Sequence, residues 1–291
     1  MALILIRGGG DLASGVALRL HRAGLRVVIT ELPQPLAVRR TVSFSEAVYE
    51  GQISIEGVTG RLVQPDQIHT TLEKGEIPIL IDPEANILTS DDEGWTIVVD
   101  GRMLKQPPLP LPTQPPLHIG LGPGFHAGEN CNAAIETRRS HTLGRVYWTG
   151  SAQPDSSQPE GDPRRVLRAP VEGIVLDRAE IGSHLKKGQI IAEIQEAGFG
   201  IQHQASCEDG QSQTVKRKAS IISPFKGVLR GLIRSGLTVT QGMKIGDVDV
   251  RNDPRLCHLV SDKALAVGGA VLEAILTKPD IRAKLKIYSS E

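Results

Sequence analysis

The sequence has few aromatic side chains and no excess of charge of either sign. Aromatic residues account for 3% of the 291 residues, too few for the base-stacking platforms of proteins that bind single-stranded nucleic acid. Lysine plus arginine and aspartate plus glutamate both total 33, so the formal net charge is zero. We therefore expect no nucleic-acid partner, because binding to the phosphate backbone needs a surplus of basic side chains.

Cysteines and long apolar runs are equally scarce. The three cysteines, Cys131, Cys207 and Cys257, are odd in number and far apart, which excludes a disulfide framework and a CxxC zinc site. No apolar run approaches the roughly 20 residues of a transmembrane helix, and the N-terminal one is too short for the core of a signal peptide. We therefore expect a cytoplasmic protein without a membrane partner.

The first 150 residues alternate predicted strands and helices. Ala2–Ile6 is an apolar run that ends in glycines, as a buried parallel strand does. Leu12, Val16 and Leu20 follow near helical spacing. The pattern continues through further apolar runs, including Ile77–Ile81. It predicts the α/β class, with a Rossmann-like domain and a mostly parallel sheet over residues 1–150.

Two shorter patterns in this domain predict local structure. Ser43 and Glu46 have the spacing of a capping box, which predicts a helix beginning there. Trp95–Val99 and Arg102–Leu104, separated by Asp100-Gly101, predict a β-hairpin.

The second half contains an internal repeat. Pro170, Gly173 and Gly182 each recur 54 positions later and separate short apolar runs in both copies. Such a repeat predicts duplicated hairpins that face each other. The pattern resembles the barrel-sandwich hybrid of lipoyl and biotinyl carrier domains, so we expect this all-β fold over residues 166–250.

A linker and a helix complete the predicted organisation. Residues 151–165 mix Pro, Ser, Gln, Asp and Gly and have the composition of an exposed linker. Within residues 251–291, a helix begins near Ser261, a suitable N-cap, and is apolar on most sides. We expect this C-terminal segment to pack back on the first domain.

Carrier domains bear their prosthetic group on a lysine between the two halves of the repeat. Here the intervening segment, 195–222, is long and polar, which is typical of an insertion. Its lysines Lys216 and Lys218 lie in a charged run. We therefore predict no lipoyl or biotinyl modification, and a carrier-type module is the least favoured function.

A glycine-rich turn follows the first strand. Gly8, Gly9 and Gly10 with Ala13 fit G-x-G-x-x-A, and Glu31 ends the second strand, where a dinucleotide fold places an acid. Glycines let the backbone approach a phosphate that rests on the helix N-terminus. Asp11 would place a carboxylate there, which repels phosphate or caps the helix. The turn is therefore either a nucleotide site or a tight connection.

A second glycine-rich loop follows a later strand. Gly122, Gly124 and Phe125 lie in it, and Asp82 ends another strand. Because ligands of open parallel sheets bind beyond the carboxyl ends of the strands, we expect these residues to line one cleft with the first turn. The alternative is a structural turn.

A third polar cluster contains Glu136, Arg138 and His141. An acid, a cation and an imidazole can transfer protons or hold an anion, so these are the candidate catalytic residues, and a charged turn is the alternative. His126, Cys131 and His141 lack the tight spacing of metal ligands, and we predict no metal site.

Several of these motifs resemble the selenium-dependent molybdenum hydroxylase system protein family, the YqeB-like proteins, over nearly the whole chain. The motifs are Arg7–Gly15, Glu31 with Pro35–Arg40, Gly120–Phe125, Glu136–Arg138 with His141 and Leu143–Val146, Gly227–Ile233, and Ser261–Ala264. The resemblance implies an accessory protein that matures or supports a molybdenum hydroxylase. The hydroxylase itself would need iron–sulfur cysteine sets that this sequence lacks.

The resemblance also sets the expected partners. They are the apo-hydroxylase or its maturation machinery, with a small anionic ligand, a nucleotide or a molybdopterin-type cofactor, at the glycine-rich edge. An NAD(P)-dependent oxidoreductase is the alternative that Gly8, Gly10 and Glu31 leave open, and a non-catalytic binding module is another.

Overall fold

The computed structural model describes residues 2–90, 94–154, 161–196 and 218–285. The chain divides into two compact units. Unit 1 comprises Met1–Gln158 and His258–Glu291, and unit 2 comprises Pro159–Cys257. Over the described ranges, no helix is both long and apolar enough to cross a membrane.

A nine-stranded sheet forms the centre of unit 1, in the order β10-β9-β7-β6-β1-β2-β5-β4-β3. Its inner strands are parallel and almost entirely buried, which explains their continuous apolar sequences. The strands are β1 (Leu3–Arg7), β2 (Val27–Glu31), β3 (Gln52–Ile55), β4 (Val58–Leu62), β5 (Ile77–Ile81), β6 (Trp95–Asp100), β7 (Leu117–Leu121), β9 (Ala133–Ile135) and β10 (Val146–Tyr147). A short β8 (His126–Ala127) pairs with β11 (Gly150–Ser151).

Helices α1 (Asp11–Arg22) and α4 (Asp262–Thr277) pack together against one face of this sheet. They approach closely because Gly15 faces Ala264: a Cβ at Gly15 would lie 2.6 Å from the Ala264 Cβ. Ser261 is the N-cap of α4, as the sequence predicts, and its hydroxyl accepts the Ala264 N–H at 3.1 Å. The shorter helices are α2 (Ala47–Glu50), α3 (Ile68–Glu73) and α5 (Pro279–Arg282).

Unit 2 contains two four-stranded antiparallel sheets, β12-β19-β17-β14 and β16-β15-β13-β18. Gly173 begins β13 and Gly227 begins β17, 54 positions later, in agreement with the repeat. Each sheet takes its two central strands from one copy and its two outer strands from the other. The strands are β12 (Val166–Arg168), β13 (Gly173–Asp177), β14 (His184–Leu185), β15 (Ile190–Gln195), β16 (Lys218–Ile222), β17 (Gly227–Leu232), β18 (Thr238–Val239) and β19 (Lys244–Asp249).

The expected fold class, a Rossmann-like domain with a lipoyl-like barrel-sandwich hybrid, is wrong. The sheet of unit 1 is mixed, because β3 and β4 form an antiparallel hairpin at one edge and β10 runs antiparallel to β9 at the other. The β3–β4 turn uses Glu56 and Gly57, both at positive φ, a signal that we did not recognise. In unit 2 the strands form two separate antiparallel sheets.

The predicted hairpin at 95–104 is also wrong. β6 is a central parallel strand between β1 and β7. After it, Asp100 Oδ1 accepts the Arg102 N–H at 3.3 Å, and Met103 has a left-handed φ of 59°. This turn carries the chain out of the sheet instead of back along β6.

Candidate functional site

The candidate site lies at the carboxyl ends of the central strands of unit 1. β1 lies between β2 and β6, so the connections from β1 and from β6 leave the sheet side by side. Ligands of open α/β sheets bind in the crevice at such a point. Gly8–Asp11 follow β1, and Gly101 and Arg102 follow β6. We call this region the carboxyl edge.

The glycine turn after β1 has three different environments. Gly8 has φ +87°, and a Cβ there would lie 3.4 Å from Arg102 Cγ. A Cβ at Gly9 would lie 2.8 Å from the Ser45 nitrogen, so the chain needs glycine for packing alone. At Gly10, the N-cap of α1, a Cβ would meet no atom of the described chain within 4 Å. Of these three glycines, Gly10 alone has open space where a side chain would stand.

Glu31 ties this turn to β2. One carboxylate oxygen accepts the Gly9 N–H at 2.6 Å, and the other accepts the Leu32 N–H at 2.7 Å. Burial raises the pKa of Glu31, and these two hydrogen bonds oppose that rise. Both oxygens are bonded to backbone, so the structure gives Glu31 a scaffold role where a dinucleotide site would have an acid for ribose hydroxyls.

Two arginines share one buried carboxylate beside the turn. Asp100 is fully buried, and Arg102 donates to it from Nε at 2.9 Å and from Nη2 at 2.6 Å. Arg7 lies 3.6 Å from the same carboxylate and donates to the Pro83 carbonyl at 2.8 Å. We call Arg7 and Arg102 the arginine pair. Arg7 is 4% exposed, whereas the Arg102 side chain is 29% exposed and can meet a ligand.

Asp100, Arg102 and their neighbour His118 were not among the residues predicted from the sequence. His118 is buried on β7, where burial lowers the pKa of its imidazole and Asp100 opposes that shift. Asp100 and His118 lie in apolar sequences that predict buried strands. Because charged and imidazole side chains are rarely buried without partners, their positions could have indicated a polar site.

Asp11 does not stand alone at the start of α1. Arg39 donates to both of its carboxylate oxygens at 3.1 Å and to the Leu259 carbonyl at 3.0 Å. Arg39 is 5% exposed, so the pair is partly desolvated. The repulsion that we expected between Asp11 and an anion is therefore offset by a guanidinium group in contact with it.

The second glycine loop meets the first through the segment after β6. Met103 lies against Gly122, which has φ +95°, and the Gly124 N–H donates to the Leu104 carbonyl at 2.8 Å. Phe125 is fully buried and packs on Gly120, with its ring centroid 6.0 Å from that of His118. Gly122 thus borders the carboxyl edge, whereas Phe125 belongs to the core.

Both carboxylate oxygens of Asp82 accept hydrogen bonds from nearby residues of the chain. Its Oδ1 accepts the Asn86 N–H at 3.0 Å and its Oδ2 accepts the Ile87 N–H at 2.9 Å, which caps the 3-10 helix Asn86–Thr89. Its sequence neighbour Pro83 reaches the arginine pair instead, through the carbonyl that Arg7 binds.

Glu136 and Arg138 are joined through Gln153, and no hydrogen bond is described between either of them and His141. Glu136 is fully buried and accepts the N–H groups of Arg138 at 2.7 Å and of Gln153 at 2.8 Å. The Arg138 guanidinium donates to Gln153 Oε1 at 3.3 Å, and His141 is exposed. Gln153 lies in the predicted linker 151–165, of which residues 155–160 are outside the described residues.

The remaining predictions concern metals and the carrier lysine. The part of the chain that the structure describes holds no group of three His, Cys, Asp or Glu side chains suited to a metal ion. Lys218 lies in β16 and pairs with Glu193 at 3.3 Å. Lys216 and most of the predicted insertion at 195–222 lie outside the described residues.

One curated protein is similar to nearly all of this chain. It is an uncharacterized protein of Escherichia coli (strain K12), YqeB, with 40% identity over 279 residues, or 94% of this chain. The chain is YqeB-like. It spans 47% of that relative's length. No family model matches the YqeB-like chain.

Solved structures similar to this YqeB-like chain are distant. An aspartoacylase family protein from Mesorhizobium loti has a TM-score of 0.30 and 12% identity, with 85% of this chain and 84% of that chain covered. A succinylglutamate desuccinylase from Silicibacter has a TM-score of 0.25 and 11% identity, with 84% of each chain covered. The ectoine utilization protein EutE from Ruegeria pomeroyi has a TM-score of 0.25 and 8% identity, with 86% of this chain and 58% of that chain covered.

Proposed function

We propose that this YqeB-like protein is an accessory protein of a selenium-dependent molybdenum hydroxylase system, and that it binds a nucleotide or other anionic cofactor at the carboxyl edge. The family resemblance supports the pathway. The observation that supports an anionic ligand is the arginine pair: two guanidinium groups share the single carboxylate of Asp100, and the partly exposed Arg102 side chain lies against Gly8.

The start of α1 adds hydrogen-bond donors to this corner. No side chain of the described residues caps α1, whose first-turn N–H groups carry the positive end of the helix dipole. Gly10 leaves the backbone open where these groups begin. An anion held there would meet these backbone donors, and Arg102, whose side chain lies against the neighbouring Gly8, would supply a guanidinium group.

Calorimetric titration with pyrophosphate at fixed ionic strength tests the binding site. The expected result is that Arg102→Gln weakens binding by roughly tenfold to a hundredfold, the effect of losing a hydrogen bond to a charged group. Arg61→Gln is the matched control. Arg61, on β4, donates from Nε and Nη2 to the carboxylate of Glu76, as Arg102 does to that of Asp100. Equal affinity of the Arg102 variant and the wild type would refute an anion site at this edge.

Deletion of the gene in its host tests the pathway. We expect the molybdenum hydroxylase to accumulate in an inactive form with low cofactor content, and an Arg102→Gln copy to restore less activity than an Arg61→Gln copy. Full hydroxylase activity and normal cofactor content in the deletion strain would contradict the accessory role.

A further inference from the structure

A buried imidazole lies on the same face of the sheet as the carboxylate of the arginine pair. In the register of β1, β6 and β7, Arg7 is aligned with Asp100 and Asp100 with Gly120. His118 lies two residues before Gly120 on β7, so its side chain projects from the same face as that of Asp100. Asp100, Arg7 and Arg102 all interact electrostatically with this imidazole. We call Arg7, Asp100, Arg102 and His118 the charged cluster.

One nitrogen of the His118 imidazole has no hydrogen-bond partner among the described residues. His118 is 5% exposed, and the unpaired atom is its buried Nε2. The hydrogen bond between the ring and the Asn130 backbone therefore uses Nδ1, and the Phe125 ring stands nearly perpendicular to the imidazole. A neutral imidazole that donates from one nitrogen has a lone pair on the other. Nε2 is thus able to accept a proton within the charged cluster.

The charged cluster already holds an excess of positive charge. Arg7 and Arg102 contribute two guanidinium groups, and Asp100 contributes the single carboxylate that both approach. Burial lowers the pKa of His118, while Asp100 and the Asn130 backbone oppose this shift and the two arginines add to it. The imidazole is therefore neutral at neutral pH, and a further negative charge nearby would favour its protonation.

An anion at the carboxyl edge supplies such a charge. It offsets the guanidinium groups that disfavour a proton on His118. Because coupling between two binding events is reciprocal, a proton on His118 strengthens binding of the anion by the same factor.

We propose that His118 takes up a proton when an anion binds at the carboxyl edge, so that this site holds its anion more tightly as the pH falls. The inference rests on the proposed anion site and assigns its pH dependence to a buried side chain of the charged cluster.

Calorimetric titration with pyrophosphate at about pH 8 and at about pH 5.5, at fixed ionic strength, tests the proposal. Pyrophosphate itself takes up protons over this range, so the ratio of the two affinities is compared between proteins. The gain in affinity at the lower pH should be roughly threefold or more greater in the wild type than in His118→Gln. His69→Gln, at an exposed histidine on α3, is the matched control and should retain the wild-type ratio. A thermal melt of each variant checks that it is folded.

Nuclear magnetic resonance of the wild type gives a readout that needs no variant. The His118 ring resonances, assigned through the backbone of the residue, measure the pKa of His118 with and without pyrophosphate. Saturating pyrophosphate should raise this pKa by the amount that matches the gain in affinity, at tenfold per pKa unit. If pyrophosphate binds and leaves the pKa of His118 unchanged, the proposal fails and the anion site stands. If pyrophosphate binds at neither pH, both fail.

Discussion

The same substitution should destabilise the protein at one glycine of the turn after β1 and leave its stability nearly unchanged at the next. At Gly9 an added methyl group would lie 2.8 Å from the Ser45 nitrogen and 3.3 Å from Ile29 Cγ2. Ser45 also donates its N–H to the Gly9 carbonyl at 2.9 Å, so it cannot move away without loss of that bond. Overpacking of this kind costs about 1–3 kcal/mol. Gly9→Ala should therefore lower the free energy of unfolding by that amount.

Gly10→Ala should leave stability nearly unchanged. Gly10 has φ −69°, which any residue adopts, and its Cβ would meet open space among the described residues. Alanine is the poorer N-cap but also reduces the entropy of the unfolded chain, and these opposing effects leave a change of less than about 1 kcal/mol. The methyl group would instead stand where the backbone is open to an anion, so binding of pyrophosphate should weaken.

Calorimetric unfolding of both variants without ligand measures the difference. At roughly 2–4 °C per kcal/mol for a unit of this size, Gly9→Ala should lower Tm by about 2–12 °C and Gly10→Ala by less than about 4 °C. Pyrophosphate titration of the Gly10 variant supplies the second readout. A Gly9 variant as stable as the wild type would refute the packing argument, and a Gly10 variant with wild-type affinity would refute the role of this turn in binding.

Two further predictions follow from buried titratable groups. Because the pKa of Glu31 is raised in the folded state, the folded protein keeps the Glu31 proton to a higher pH than the unfolded chain does. The contribution of Glu31 to the free energy of unfolding therefore falls as the pH rises above 4.5, and it levels off once the pH exceeds the folded-state pKa. Denaturant unfolding from pH 4 to 8 should therefore show a steeper loss of stability in the wild type than in Glu31→Gln, and parallel curves would contradict the assignment. Burial raises the pKa of the Cys131 thiol to about 11, so iodoacetamide should leave Cys131 unmodified in the folded protein at pH 8 and label it in urea. Rapid labelling of Cys131 in the folded protein, measured by peptide mass spectrometry, would show that the thiol is accessible and ionised.

Local patterns were the part of the structure that the sequence predicted best. The strand, glycine turn and helix at residues 3–22 follow from an apolar run and a helical period, and the Ser261 N-cap follows from a hydroxyl before an apolar helix. These features depend on residues close together in the chain. The repeat likewise depends on its own spacing, and it led to the strands of unit 2.

Predictions that depended on distant partners failed. The helix predicted from Ser43 and Glu46 does begin there, as a 3-10 turn Phe44–Glu46 that leads into α2. Its predicted capping box is wrong, because the Ser43 hydroxyl donates to the Arg39 carbonyl and Glu46 pairs with Arg40. The pairing of Arg102 with Asp100 and the capping role of Asp82 depend on how the chain turns after each strand. The antiparallel edges of the sheet depend on strand pairing. None of these has a period in the sequence, which is why the site was only partly predicted and the fold class was wrong.

The exchange of strands between the two copies of the repeat has a consequence for how unit 2 is assembled. Because each sheet needs outer strands from the other copy, neither copy can complete a sheet by itself. The strand pairs between the copies join His184 to Val228, 228 − 184 = 44 residues apart, and Gly173 to Val239, 239 − 173 = 66 residues apart. The chain must close loops of this length before the first complete sheet exists, and this entropy is lost before most strand contacts are gained. Unit 2 should consequently fold in one slow, all-or-none step, and a chain truncated between the copies would be left with unpaired edges open to a second molecule.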